Sequence, residues 1–206
     1  MISLYSGTPG SGKSLHLASR LYNRMKNVKK PIICNFNCDF SRIKHPRGEF
    51  HYTDNLNLTV EYLVNFSEEY KERKHYTQVP EDEILLVIDE CQLLFNSRDY
   101  GKKNRGDWVS FFTQHRKLGY EVVLIAQFDR MLDRQIRSVI EYNLIHRKVS
   151  NFGIKGKIIS LLMGGNVFVA VKVWYPLKEK VNAEWFHAYK KYYSIYDTFT
   201  LFEAPQ

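Results

Sequence analysis

Apolar positions follow two different patterns along this chain. Residues 84–88 (ILLVI) and 122–126 (VVLIA) are continuous apolar runs, which are typical of parallel strands buried on both faces of a sheet. Residues 15–25 and 59–74 instead carry apolar side chains at helical spacing. Because strands and helices alternate, we predict an α/β fold: a central, mostly parallel sheet with right-handed crossovers and helices on both faces.

The remaining elements follow from the same patterns. Further strands are predicted at residues 1–6, 32–36 and 143–149, further helices at 108–118 and 131–142, and a polar surface excursion at 38–58. Residues 157–163 and 167–175 flank Gly164-Gly165-Asn166 and predict a β-hairpin, and residues 182–193 predict an amphipathic, aromatic-rich helix. We expect one domain, with its core in about residues 1–150 and the hairpin and last helix in about residues 151–200.

A glycine-rich stretch lies between the first predicted strand and the first predicted helix. It reads Gly7-Thr8-Pro9-Gly10-Ser11-Gly12-Lys13-Ser14 and fits the phosphate-binding pattern G-x-x-x-x-G-K-[ST] at every fixed position. Its glycines let backbone N–H groups curl around an oxyanion at the positive end of the helix. We therefore predict that the loop, from Gly7 to Leu15, binds a nucleotide, with Lys13 on the β- and γ-phosphates and the Ser14 hydroxyl on Mg²⁺. A turn without a ligand would need neither side chain.

Two acids and an amide end the two most apolar runs. Asp89 is expected to support Mg²⁺ binding, and Glu90 to polarise a water for attack on the γ-phosphate. Gln127 is a candidate sensor of the γ-phosphate, because an amide can bond a phosphate oxygen or the attacking water. We infer that the strand before Gln127 lies between the strand of the phosphate loop and the strand of the acids. The five core strands would then lie in the order fifth, first, fourth, third, second, with the hairpin extending one edge.

Composition narrows the class of protein. The 206 residues are 44% hydrophobic and carry 30 Lys and Arg against 22 Asp and Glu, a net charge of +8 that favours an anionic partner such as nucleic acid or an acidic membrane surface. The three cysteines are too few and too irregularly spaced for a disulfide framework or a metal site, so we expect free thiols in a reducing compartment. We find no signal peptide and no apolar stretch long enough to cross a membrane, and expect a soluble, unexported chain.

The motifs together resemble one family over essentially the whole chain. After the phosphate loop they are Asp89-Glu90-Cys91, Phe95-Asn96-x-Arg98, Arg116-Lys117-Leu118-Gly119, Gln127, Leu132-Asp133-x-Gln135-x-Arg137 and Tyr196-Asp197-Thr198. In this order they are similar to the N-terminal domain of the zonular occludens toxin (Zot) family, which includes the gene I assembly protein of filamentous phages. The resemblance implies a P-loop NTPase of the FtsK-HerA and RecA-like type, in which an additional strand separates the phosphate-loop strand from the acid strand.

The resemblance also implies a biological role and partners. It implies an ATPase, with ATP and Mg²⁺ bound, on the cytoplasmic side of the bacterial inner membrane that powers the extrusion of single-stranded phage DNA as a coated filament. Its partners would be further copies in a ring, the phage assembly proteins of both membranes, and the DNA–protein complex, met directly or indirectly. Members usually continue into a transmembrane helix and a periplasmic part, so we expect membrane attachment through a segment absent from this chain.

A ring motor often lends an arginine to its neighbour's γ-phosphate. Arg98 is our candidate for this catalytic role, with Arg116 and Arg137 as the other arginines to consider, and each is equally compatible with an ordinary solvated charge. The basic runs His146-Arg147-Lys148 and Lys102-Lys103-x-Arg105 could track nucleic acid phosphates or simply face solvent.

Other classes of protein use the same phosphate loop. A different DNA-translocating or packaging ATPase is one alternative, and a small-molecule kinase is another, although Asp89-Glu90 favours water as the nucleophile. A GTPase would be expected to carry an N-K-x-D motif, which is missing here. A toxin or scaffold has no support from a signal peptide or a disulfide framework.

Overall fold

A single eight-stranded sheet organises the protein. The computed structural model describes residues 1–97 and 105–195. The strands are β1 (Ile2–Ser6), β2 (Pro31–Cys34), β3 (Glu49–Tyr52), β4 (Ile84–Ile88), β5 (Tyr120–Ile125), β6 (Tyr142–Lys148), β7 (Val167–Trp174) and β8 (Glu179–His187). The α-helices are α1 (Lys13–Asn27), α2 (Val60–Lys74), α3 (Arg105–Gln114), α4 (Arg134–Ser138), α5 (Gly153–Leu162) and α6 (Lys190–Tyr193).

The strand order confirms the predicted arrangement of the core. The sheet runs β3-β2-β4-β5-β1-β6-β7-β8, so β5 lies between the phosphate-loop strand β1 and the acid strand β4. The six neighbouring strands β3, β2, β4, β5, β1 and β6 are parallel, whereas β7 pairs antiparallel with both β6 and β8. All carboxyl ends of the parallel strands therefore meet at one edge, where ligands bind in open α/β sheets.

Helices cover both faces of this sheet. Every residue of β1, β4 and β5 is buried, as their continuous apolar sequences require. On one face α2 and α3 contribute Leu63, Tyr70, Phe111 and Phe112 to one core, and on the other α1 contributes Leu17 and Leu21 to a second. Both layers therefore pack against the strands that lead into the predicted nucleotide site.

The C-terminal third differs from the sequence prediction. Of residues 157–163, predicted as a strand, 157–162 belong to helix α5, and the hairpin is formed instead by β7 and β8. Gly164 and Gly165 both have positive φ, and their N–H groups bond the carbonyls of Leu161 and Ser160, so they end the helix rather than turn a hairpin. The predicted helix at 182–193 is also wrong, because β8 continues to His187 and only Lys190–Tyr193 is helical.

Smaller departures concern short elements. The polar excursion at 38–58 contains edge strand β3, which pairs with β2. The helix predicted at 131–142 is reduced to Arg134–Ser138, because β6 already begins at Tyr142, and the helix predicted at 108–118 is α3, which ends at Gln114. No helix among the described residues is both long and apolar enough to span a membrane.

Candidate nucleotide site

The glycine-rich loop links β1 to α1 at the carboxyl edge of the sheet. The Gly7 N–H donates to the Gln127 carbonyl oxygen at 3.1 Å, which ties the loop to the chain that follows β5. Gly12 has φ of 97°, and a Cβ atom there would lie 2.6 Å from the ring of Phe168 on β7. Gly7 is equally restricted, since its Cβ would lie 2.6 Å from the His146 carbonyl oxygen. Glycine is therefore required at both positions by backbone conformation and by close packing.

Lys13 is the first residue of α1, and its side chain reaches back across the loop. Its Nζ donates to the carbonyl oxygens of Gly7, at 2.5 Å, and Thr8, at 3.3 Å. Burial lowers the pKa of Lys13, and the carboxylates of Asp89 and Glu90 act in the opposite direction. Loop and acids lie at the same carboxyl edge of the sheet, which accounts for this influence.

The main chain of Asp89 is held by a side chain that sequence reasoning missed. Asn35, just beyond β2, accepts from the Asp89 N–H at 2.7 Å and donates through Nδ2 to the Asp89 carbonyl oxygen at 2.9 Å. The same Nδ2 group donates to Asn55 Oδ1 at 2.9 Å. These three residues are buried, so each hydrogen bond is shielded from water. The sequence feature that could have identified Asn35 is its position as a polar residue directly after β2, the strand next to β4.

Glu90 has an unusual backbone conformation for a residue other than glycine. Its φ of 45° and ψ of 44° lie in the left-handed region, and its N–H donates to Asp89 Oδ1 at 2.8 Å. Its side-chain Oε2 accepts a hydrogen bond from Gln92 Nε2. Left-handed residues of this kind concentrate at functional sites, because surrounding structure must compensate for the strain. Gln92 is therefore a second contact that the sequence did not reveal.

The residues present fit a nucleotide phosphate and Mg²⁺. Ser11 Oγ is buried and has no hydrogen-bond partner among the described residues, and it sits within the loop where a phosphate oxygen would accept its proton. Lys13 supplies positive charge, and Ser14 and Asp89 supply the oxygen ligands that Mg²⁺ prefers. Leu15 is buried in the core, so only its backbone is available to a ligand.

The exposed part of the loop and Gln127 are positioned by their neighbours. Thr8, Pro9 and Gly10 are exposed at the tip of the loop, and Thr8 accepts from the Ser11 N–H at 3.1 Å. Gln127 lies two residues beyond the end of β5 and is partly buried. The predicted sensor is thus adjacent to the loop through its backbone.

The candidate arginines occupy different places. Arg98, together with Lys102, Lys103 and the Tyr196-Asp197-Thr198 motif, lies outside the described residues. Arg116 forms an ion pair of 2.7 Å with Glu141, which precedes β6 at the edge of the sheet opposite the phosphate loop. Arg137 lies on α4 beside Tyr175.

Two residues of the predicted basic runs already have partners within the chain. Arg105 forms an ion pair of 2.6 Å with Asp133, the N-cap of α4, and both side chains are largely buried. His146 is buried with 1% exposure and cannot meet a nucleic acid backbone. Only Arg147 and Lys148 of that run face outward to any extent.

His146 instead pairs with a histidine of the P-loop helix. Its Nε2 lies 2.9 Å from Nδ1 of His16, and its Nδ1 lies 3.3 Å from the Ser6 carbonyl oxygen. The rings of Tyr5 and Phe186 stack against His16 at 5.1 and 4.8 Å. Burial, with Arg20 nearby, lowers the pKa of His16 to about 4, and burial, with His16 nearby, lowers the pKa of His146 to about 3. Both histidines are therefore neutral at pH 7 and pack β6 against the start of α1.

A phosphate loop between β1 and α1, paired acids after β4 and an intervening β5 define this chain as a P-loop NTPase. Comparison with known proteins identifies the family. The model of the zonular occludens toxin (Zot) family matches residues 1–196, and the chain belongs to that family. The resemblance of the motifs is thereby confirmed.

Curated relatives are proteins of filamentous phages. The chain is 32% identical over 131 residues to the Gene 1 protein of Enterobacteria phage I2-2, a match that covers 59% of this chain and 36% of the relative. It is 31% identical over 131 residues to the Gene 1 protein of Salmonella phage IKe, with the same coverage. The chain thus spans about a third of the length of these relatives.

Solved structures with the same fold include a toxin-family domain and a viral packaging ATPase. The N-terminal domain of zonular occludens toxin from Neisseria meningitidis aligns with a TM-score of 0.57 and 16% identity, covering 95% of this chain and 98% of that one. The DNA-packaging ATPase B204 from Sulfolobus turreted icosahedral virus gives a TM-score of 0.54 at 15% identity, covering 89% and 95%. The genome packaging NTPase B204 of Sulfolobus turreted icosahedral virus 2, in complex with ATP-gammaS, gives 0.50 at 14%, covering 89% and 95%. These similarities confirm the P-loop NTPase fold.

Proposed function

We propose that this chain is the MgATP-hydrolysing motor domain of a filamentous phage assembly protein. The observation that carries the proposal is the placement of Asp89 and Glu90 directly after β4, with β5 between that strand and the strand of the phosphate loop. The Gene 1 proteins of filamentous phages and the packaging NTPase B204 support the same class of activity. The work done would be the extrusion of phage DNA through the inner membrane, and the domain would act there on the cytoplasmic side.

Each residue of the crevice would have a distinct role. The loop N–H groups and Lys13 would bind the β- and γ-phosphates, and Ser14 and Asp89 would hold Mg²⁺, which neutralises phosphate charge when bound. Glu90 would accept a proton from the attacking water, and Gln127 would orient that water or bond a γ-phosphate oxygen. Arg98 of a neighbouring copy would add positive charge at the γ-phosphate, within a ring of such copies.

The contact between Glu90 and Gln92 bears directly on this mechanism. A carboxylate that accepts a hydrogen bond from an amide is held in one orientation, and a general base must be oriented towards the proton that it accepts. The short helix Cys91–Leu93 presents Gln92 for this bond, and Cys91 anchors the helix in the core. Gln92 is therefore a positioning residue in the proposed mechanism.

The decisive experiment compares phosphate release with nucleotide binding. Glu90→Gln should bind ATP as the wild type does but release phosphate slower by a factor on the order of a hundred or more. Wild-type turnover in that variant would show that another residue is the base. The assay should be repeated with sugars, nucleosides and DNA present, because stoichiometric phosphorylation of a small molecule would instead identify a kinase.

A further inference from the structure

Helix α5 turns its large apolar side chains away from the protein. Gly156 and Ser160 are its buried residues, and a Cβ atom on Gly156 would lie 2.2 Å from the Val149 carbonyl oxygen. The small residues thus allow close packing on the body of the protein. The opposite side carries Ile154, Ile158, Leu161 and Leu162, which are 78%, 54%, 79% and 81% exposed. We call these four residues the α5 stripe.

This stripe is more than scattered surface hydrophobicity. Its members recur at the spacing of one helical face, and three of the four are almost fully exposed. A contiguous exposed apolar face of this kind usually marks a contact surface. Lys155 and Lys157 accompany it, and the helix contains no acidic residue, so its partner should be apolar with negative charge at the rim.

A surface with these properties exists on the same chain. A groove of about 1060 Å³ runs between α2 and α3. Its apolar lining includes Leu56, Val60, Val64, Leu94, Trp108 and Leu118, and Leu56 is 54% exposed. Glu61 and Asp107 also line it and are exposed acids, whereas the charge of Arg105, a basic residue of the lining, is paired with Asp133. We call this feature the α2–α3 groove.

The two surfaces match in length as well as in charge. From Ile154 to Leu162 the stripe is about 12 Å long, at 1.5 Å per helical residue. The groove follows α3, whose ten residues span roughly 14 Å by the same measure. A helix that lays an apolar face into an apolar groove is a common recognition mode.

The stripe cannot reach the groove of its own molecule. α5 follows β6, whereas the groove lies between α2 and α3, the helices that precede and follow β4 in the chain, and β5 and β1 separate β6 from β4 in the sheet. Three strand spacings amount to about 14 Å, and α5 is held in place by its packing on Val149. Any contact between stripe and groove is therefore between molecules.

We propose that the α5 stripe of one molecule docks in the α2–α3 groove of a second copy. Because stripe and groove are different surfaces, the contact is head-to-tail and leaves one free stripe and one free groove at the ends, so that it propagates into a ring or a filament. The biological role of this contact rests on the proposed function, to which it adds the face through which motor subunits associate. One helical face buries less than the ~800 Å² per partner of a standard stable interface, so association should depend on concentration.

Two variants that each lose one surface test this directly. Ile158→Gln/Leu161→Gln removes the stripe, and Leu56→Lys/Glu61→Lys removes the groove; all four positions are exposed, so the fold should tolerate them. In sedimentation velocity over a concentration series, the wild type should associate, and each variant alone should associate roughly a hundred-fold more weakly. Leu177→Gln, a matched change of a leucine that is 61% exposed beyond β7, should behave as the wild type.

The mixture of the two variants is the critical sample. It contains one intact stripe and one intact groove, so it should form a species of twice the mass of one chain and nothing larger. A mixture that stays monomeric, a wild type that stays monomeric at every concentration, or a groove variant that associates normally would overturn the proposal. Flotation of the wild type with anionic vesicles, lost in the stripe variant while the mixture stays monomeric, would assign the stripe to a lipid surface instead.

This result is independent of the ATPase proposal. Nucleotide binding measured by calorimetry should be unchanged in both surface variants, since neither alters the crevice around Lys13. If the mixture forms the dimer but Lys13→Ala still binds ATP, the interface stands and the proposed nucleotide site fails. If Lys13→Ala loses ATP but no dimer forms, the site stands and the interface fails.

Discussion

Asn35 binds both main-chain polar groups of Asp89: it accepts from the N–H at 2.7 Å and donates to the carbonyl oxygen at 2.9 Å. The bond pair connects the end of β2 to the end of β4, one strand position away. These bonds fix the main chain from which the Asp89 carboxylate projects, and they would so prepare the proposed metal ligand before any metal binds. A surrounding shell of this kind commonly sets metal affinity.

Replacing Asn35 should therefore raise the Mg²⁺ requirement. Asn35→Leu keeps a side chain of similar branched shape but removes both hydrogen bonds to the buried main chain of Asp89, at a cost of about 1–3 kcal/mol in the free energy of unfolding. The Mg²⁺ concentration for half-maximal phosphate release should rise roughly ten-fold. Asn35→Asp keeps the acceptor for the Asp89 N–H but replaces the donating Nδ2 by an oxygen that faces two acceptors, so it should be affected at least as strongly. If a folded Asn35→Leu needs no more Mg²⁺ than the wild type, Asn35 does not position the metal ligand.

Lys13→Ala should abolish ATP binding measured by calorimetry while the circular dichroism spectrum stays intact. The ammonium bonds only loop carbonyls and lies near Asp89 and Glu90, so its loss removes the positive charge for phosphate without removing core packing. Lys26→Ala is the matched control, because Lys26 is exposed at the far end of the same helix. Unchanged affinity in Lys13→Ala would refute the assignment of the site.

Gly12→Ala should damage both stability and ATP binding. An alanine would need the unfavourable φ of 97° and would place its Cβ 2.6 Å from the Phe168 ring. The conformational part alone costs about 1–2 kcal/mol, and Phe168→Leu in the same chain should relieve only the remaining steric part. Thermal unfolding and calorimetry measure the two effects. Gly106→Ala, on α3 with no atom within 4 Å of the new Cβ, should be neutral or slightly stabilising, and an equal loss there would contradict the local explanation.

The His16–His146 pair should make the protein sensitive to acid. Because burial keeps both neutral when folded, with pKa values of about 4 and about 3 against 6.5 when unfolded, the unfolded state binds protons first as the pH falls. Stability should be full above pH 6.5 and fall progressively towards pH 4, by roughly 3 kcal/mol for His16 alone. Glu184, 3.6 Å from His16, would moderate the loss once His16 is charged.

Urea unfolding at several pH values measures this dependence. His146→Phe places a ring that cannot be protonated among Tyr5 and Phe186, and should remove the His146 share of the dependence below pH 6.5 while leaving that of His16. A variant of the partly exposed His187 on β8 should keep the wild-type dependence. The same slope in all three proteins would show that other groups control acid unfolding.

The sequence predicted those parts of the fold in which the local pattern of apolar residues matches the burial of the element in the folded protein. The runs before Asp89 and Gln127 are apolar throughout because β4 and β5 are covered on both faces, and the phosphate loop needs a strand before it and a helix after it. The glutamate beside Asp89, with Gln127 at the end of the next strand, then predicted β5 between β1 and β4, as the structure has it. That order brings the phosphate loop with Lys13 and the acids Asp89 and Glu90 to the same edge of the sheet.

The C-terminal third was mispredicted where an apolar sequence is not buried in the folded protein. The run KIISLLM at 157–163 is apolar enough for a buried strand, yet it forms a helix whose apolar side is exposed, so burial could not be inferred from the pattern. Gly164-Gly165 is compatible with both a hairpin turn and a helix end. Contacts such as Asn35 with Asp89 join residues 54 positions apart, and no local pattern in a single sequence reports them.

The last prediction concerns how many molecules complete one active site. If the charge at the γ-phosphate comes from a neighbour, an isolated molecule would bind ATP with its own loop but hydrolyse it slowly, and specific activity should rise with protein concentration. Glu90→Gln subunits have a dead site and an intact Arg98, whereas Arg98→Ala subunits have an intact site and no donated charge. Mixed, some interfaces pair an intact site with an intact arginine, so phosphate release should exceed that of either variant alone. Adding the stripe change Ile158→Gln/Leu161→Gln to both subunits should abolish that gain if the α5 stripe forms the interface. No gain on mixing, with activity independent of concentration, would mean that the site is complete within one chain.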